Sequence, residues 1–244
     1  MKKKEIKELI AALIAKEEML TEEQEMWIVS HDCVDLLSKY QEYCCISPKV
    51  IEKMIKENHL PAFNVFVKQH KLENYQDKWL IENNLTNMFN IYIRYHNLST
   101  LAQKQLILPE YEEYFNKYIL QHHLSTNVEM LIIQQKDYDK LDKYLKYQIL
   151  SENPERELFK DEHRAYFFKY IQNERLLPCN EPIFFANFID RYIELYCDCD
   201  DCFLEPASQF ALIALGKKDI FVKYIQQRGY HKEVKIVAQK LGWI

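Results

Sequence analysis

Apolar residues recur along this chain at a fixed interval of 26. The unit is apolar-x-x-aromatic-apolar, and Phe63, Phe66 and Val67 carry it. It returns at Phe89, Tyr92 and Ile93, then at Phe115, Tyr118 and Ile119. Leu141, Tyr144, Leu145 and Phe167, Tyr170, Ile171 follow, then Ile193, Tyr196 and Cys197. Leu37 and Tyr40 extend the series backwards, and Phe221, Tyr224, Ile225 arrive two residues late. A second series keeps the same step. Adjacent apolar pairs stand at Ile28-Val29, Met54-Ile55, Leu80-Ile81, Leu106-Ile107, Ile132-Ile133, Leu158-Phe159 and Phe184-Phe185. Leu212-Ile213 is again two late, which places a two-residue insertion near 198–203.

The 3-then-4 spacing of the first series is one face of a helix. Each unit therefore predicts a helix A carrying the aromatic face, a turn, and a helix B carrying the apolar pair. Polar residues mark the boundaries. Thr21, Ser47, Ser99, Ser125 and Ser151 lie at multiples of 26 from one another and suit helix N-caps. Thr21-x-x-Gln24, Thr100-x-x-Gln103 and Thr126-x-x-Glu129 match capping boxes. Ser47-Pro48 and Asn153-Pro154 match caps with proline in the first turn. Gly216, Gly229 and Gly242 each follow a helical pattern, as helix-ending glycines do.

Helices this short do not stand alone in water. Stacked as successive hairpins, they bury a continuous core. The fold class expected is all-α: a right-handed α-solenoid of about nine two-helix repeats, one domain over residues 1–244. The units "YIRYHNLSTLAQKQLI" and "ALIALGKKDIFVKYI" resemble the short helical-hairpin repeats of uncharacterised bacterial α-solenoid proteins. Such arrays are similar in kind to HEAT and ankyrin solenoids, and the resemblance implies a binding scaffold without activity. The chain departs from that pattern by having its turn glycine clearly only at Gly216.

Composition narrows the partners. The 244 residues carry a formal net charge of −5, which argues against a dedicated nucleic-acid binder. Partial basic columns exist at Lys68, Arg94, Lys146 and at Lys117, Lys143, Lys169, so a HEAT-like nucleic-acid surface stays as an alternative. With three glycines, glycine-rich phosphate loops are effectively excluded, and no hydrolase, zinc-protease or dinucleotide motif occurs. The expectation is a non-enzyme with no cofactor. The opening "MKKKEIKELIAALIAKEE" reads as an amphipathic helix rather than a leader. No uncharged run reaches membrane length, and seven cysteines without paired spacing fit a reducing, cytoplasmic setting.

Three groups of residues are candidates for function. Asn64, Asn90, Asn116 and Asp142 form a column one residue after the apolar anchor, able to bond a neighbouring helix or to grip an extended peptide. His70, His96 and His122 form another. One repeat, about 8–10 Å, separates each histidine from the next, too far for a shared metal, so each is expected to bond carbonyls at the end of helix A. "CDCDDC" offers Cys197, Cys199 and Cys202 as a metal or redox cluster, with Cys179 as a fourth ligand. The competing reading makes Cys197 a small core residue followed by an acidic turn. A protein or peptide is the partner expected; no membrane partner is.

Overall fold

The computed structural model describes residues 3–198 and 202–244. The described residues form eighteen α-helices and no strand. In chain order they are α1 (Lys3–Ala15), α2 (Glu22–Ser30), α3 (Val34–Gln41), α4 (Pro48–Lys56), α5 (Leu60–Gln69) and α6 (Asn74–Glu82). Then come α7 (Thr86–Tyr92), α8 (Thr100–Leu106), α9 (Glu112–Ile119), α10 (Thr126–Gln134), α11 (Tyr138–Leu145) and α12 (Glu152–Glu157). The series closes with α13 (Arg164–Asn173), α14 (Glu181–Asn187), α15 (Asp190–Cys197), α16 (Pro206–Ala214), α17 (Lys218–Arg228) and α18 (Lys232–Lys240). No described helix is long and apolar enough to cross a membrane.

The chain divides into two compact units, Met1–Val128 and Glu129–Ile244. Within the first, the odd-numbered helices α1, α3, α5 and α7 pack in sequence, and the even-numbered α2 packs on α4 and α6 on α8. Within the second, α13, α15 and α17 form one layer and α14, α16 and α18 the other. Both units are thus two-layered helical stacks in which alternate helices are neighbours. The aromatic motif fills the odd helices, where Phe63, Phe89, Phe115 and Phe167 are fully buried. The apolar pairs fill the even ones, with Ile28, Met54, Leu80 and Leu106 equally enclosed.

The turn from an even helix to the next odd one explains how the chain dispenses with glycine. Asp32, Asn58, Asn84 and Lys136, 26 or 52 residues apart, all adopt positive φ, as does Gly216. At each, two backbone N–H groups fold back onto the carbonyls of the preceding helix, as in His59 N to Met54 O and Asn58 N to Ile55 O. Asn and Asp tolerate this left-handed conformation best after glycine. Two turns differ. Pro109–Tyr111 and Asp161–His163 form 3-10 turns instead, 52 residues apart.

The caps hold in part. Thr21 and Gln24 form the expected capping box, and Ser47 precedes Pro48 at the start of α4. Thr100 and Thr126 do not cap; they are the first residues of α8 and α10, and Ser99 is the N-cap of α8. The Asn153-Pro154 reading is corrected likewise, because Ser151 stands at the N-cap and Asn153 lies inside α12. Gln103 and Glu129, assigned to boxes from spacing, are used elsewhere.

Candidate binding surface

The most regular polar feature is a column that the sequence reading missed. Counting in steps of 26 from Glu25 gives Ile51, Asp77, Gln103, Glu129, Glu155 and Glu181, then Gln209 after the insertion. Every member is buried. A carboxylate in such a place must be satisfied by donors, and the neighbouring helices supply them. Tyr40 donates to Glu25 at 3.0 Å, Tyr144 to Glu129 at 2.7 Å, Tyr170 to Glu155 at 2.9 Å and Tyr196 to Glu181 at 2.7 Å. Three of these acids also accept a free N–H ahead of the following even helix. Ser47 N reaches Glu25 at 2.9 Å, Ser151 N reaches Glu129 at 3.1 Å, and Leu177 N reaches Glu155 at 2.9 Å. Gln103 plays both parts, with its amide nitrogen on Tyr118 and its oxygen accepting from Ser125 N.

The tyrosine hydroxyls accept as well as donate. Leu20, Leu176 and Leu204 give their backbone N–H to Tyr40, Tyr196 and Tyr224. One polar rung therefore ties an even helix, the odd helix after it, and two loops. Burial raises the carboxyl pKa of Asp77, Glu155 and Glu181 despite these bonds. Burial likewise pushes the Tyr118 hydroxyl up to about 12. Asp77 is one methylene shorter than the glutamates; it spends both oxygens on Ser99 and none on the buried Tyr92 hydroxyl.

The histidine column also serves attachment. His96 bonds the carbonyl of Val67 and His122 that of Ile93, in each case 29 residues upstream, at the end of the previous odd helix. In these two the expected bond to a helix-end carbonyl is made, but to the neighbouring repeat rather than to the histidine's own helix; the buried His70 Nε2 makes none. Each ring also packs on the aromatic four residues before it: His70 and His122 stack on Phe66 and Tyr118, and His96 lies tilted against Tyr92. Burial lowers the His70 pKa, keeping that ring neutral.

The asparagine column is not uniform. Asn64 on α5 and Asn90 on α7 are half-buried, whereas Asn116 on α9 is exposed. Asp142, in the second unit, accepts from Tyr166 at 2.8 Å and pairs with Lys169, both on α13. There a shallow cleft of about 370 Å³ opens along α11 and α13, lined by Asp142, Leu145, Lys146, Tyr166, Lys169 and Asn173. A second cleft of about 230 Å³ shares Leu145, Tyr170 and Glu174 with it and adds Ile149, Arg175 and Pro178. Ile149 is 63% exposed and Tyr147 56% exposed. Tyr166 is held by stacking on Tyr138, ring centroids 4.3 Å apart. Nothing in the sequence pattern singled out Ile149, which lies between the repeated positions.

Of the cysteine cluster, Cys199 lies outside the described residues. Cys197 and Cys202 are both buried. The hydrogen bond to Cys202, with burial, pushes the Cys197 thiol far up, away from the reactive thiolate. Cys179 is exposed. With these positions set out, comparison with protein-family models, with curated proteins and with solved structures gives no match.

Proposed function

We propose that this chain is a non-catalytic, right-handed α-solenoid of about nine 26-residue repeats, cytoplasmic, that holds an extended segment of a partner protein. The observation that carries the reading is the direction in which the polar groups are used. The repeated carboxylates, tyrosines and histidines point inward and are engaged in joining one hairpin to the next. Catalytic acids and nucleophiles need access to a substrate, and these groups lack it. The α11–α13 cleft has the opposite character. Its open side combines apolar surface at Leu145 and Ile149 with hydrogen-bonding groups at Lys146, Asn173 and Arg175. That mixture suits a peptide, whose backbone seeks hydrogen bonds while its side chains seek apolar recesses.

Selection of displayed, unstructured peptides on the full chain tests this. The expected result is a consensus sequence whose synthetic peptide binds the chain. Ile149→Glu should then weaken binding at least tenfold, while Asn64→Ala, Asn90→Ala and Asn116→Ala together leave it unchanged. Loss in the asparagine variant alone would move the surface to the first unit. Failure to enrich any peptide would contradict the peptide-holding role.

A further inference from the structure

One group of side chains in the second unit serves neither the rungs nor the cleft. It sits at the 3-10 turn Asp161–His163, which stands where most other repeats have a left-handed turn. Glu157 at the end of α12 and Glu162 and His163 in the turn bring two carboxylate oxygens and one ring nitrogen within 4.8 Å of one another. His163 is 1% exposed. Its Nδ1 lies 2.8 Å from the Tyr138 hydroxyl, and Tyr138 is itself fixed against Tyr166. Its Nε2 has no hydrogen-bond partner, and the nearer Glu162 oxygen is 3.6 Å away.

A buried imidazole nitrogen facing two carboxylates without a hydrogen bond calls for an explanation. We propose that Glu157, Glu162 and His163 bind one divalent transition-metal cation of the Zn²⁺ class. When Nδ1–H donates to the tyrosine oxygen, Nε2 turns a lone pair toward both carboxylates. A hydrogen bond on the far ring nitrogen fixes the tautomer and orientation of metal-binding histidines in this way. Metal–ligand bonds of about 2.0–2.2 Å require the three donors to close in by roughly 1–2 Å. Glu162 is able to move that far, because its side chain is 55% exposed. Two lysines now occupy the acids: Lys160 Nζ lies 2.6 Å from Glu157, and Lys136 Nζ 4.0 Å from Glu162. Both are half exposed, and a doubly charged ion that displaces them leaves them in water.

Cobalt titration of the purified full chain is the test, because Co²⁺ reports its ligands by absorption. One equivalent should bind without the near-ultraviolet thiolate band that cysteine ligation produces. Glu162→Gln should weaken it at least tenfold, and Lys160→Ala, which removes the competing ammonium, should tighten it several-fold. Replacing Cys197, Cys199 and Cys202 with serine should leave the affinity unchanged. His163→Asn should abolish binding, but it alters a buried residue, so the exposed Glu162 variant decides the matter. No uptake of Co²⁺ or Zn²⁺ would overturn the proposal. So would uptake that shows the thiolate band or ignores Glu162→Gln.

Discussion

The rung at Ile51 and Phe66 and the rung at Glu155 and Tyr170 occupy equivalent places in the repeat, yet one is wholly apolar and the other wholly polar. Tyr170, Leu177 N and Asn180 all donate to Glu155. At the other rung Phe66 lacks the hydroxyl and Ile51 lacks the acceptor; both are buried. The N–H that an acid would have accepted there belongs to Glu73, and Gln76 accepts it instead at 3.0 Å. Thr21 N–H is accepted by Gln24 in the same manner at 2.9 Å. The lesson is that acceptor, hydroxyl and cap change as a set. A buried donor left alone costs about 1–3 kcal/mol, whereas removing both partners together is close to neutral.

The comparison can be broken most severely at its polar end. Glu155→Ala strands three donors at once and should cost roughly 3–5 kcal/mol, read from urea unfolding. A loss below about 1 kcal/mol would mean that water replaces the carboxylate and the rung is not closed.

Acidity sharpens it next. The folded-state pKa of Glu181 is raised by burial above the ordinary 4.5. As pH climbs past 4.5 the unfolded chain releases its proton first, so the folded state binds more protons. Stability therefore falls with rising pH until the folded carboxyl also ionises. Asp77 and Glu155 act with the same sign. Glu181→Gln should flatten this fall, measured by unfolding midpoints across the acid range; an unchanged slope would contradict the assignment.

The smallest effect belongs to the histidine stitches. His96→Ala removes one half-buried bond to Val67 O and should cost about 0.5–1.5 kcal/mol. His123, exposed beside the column, should tolerate the same change within about 0.5 kcal/mol.

Much of this architecture is legible in the sequence because apolar columns repeat in type as well as position. Phe, Leu and Ile at one register announce one buried face. The acid column repeats in position only. Glu, Ile, Asp and Gln in turn look like an ordinary solvated surface, and Gln103 and Glu129 also fit a local capping box. The usable signal was the tyrosine column, whose buried hydroxyls require partners, together with the single phenylalanine opposite the single isoleucine. The histidines show a different limit. Their carbonyl acceptors lie 29 residues away, a relation that exists only once two hairpins are stacked. The cleft was hidden for a third reason. Ile149 belongs to one repeat alone, and a reading built on recurrence passes over what occurs once.

The most direct test of the matched-rung account is a double-mutant cycle at the apolar rung, followed by urea unfolding. Phe66→Tyr alone and Ile51→Glu alone each bury an unmatched polar group, and each should destabilise by about 1–3 kcal/mol. Together they recreate the polar pair, so the double variant should recover at least about 1 kcal/mol relative to the sum. Strict additivity, within about 0.5 kcal/mol, would contradict the claim that these rungs act as units.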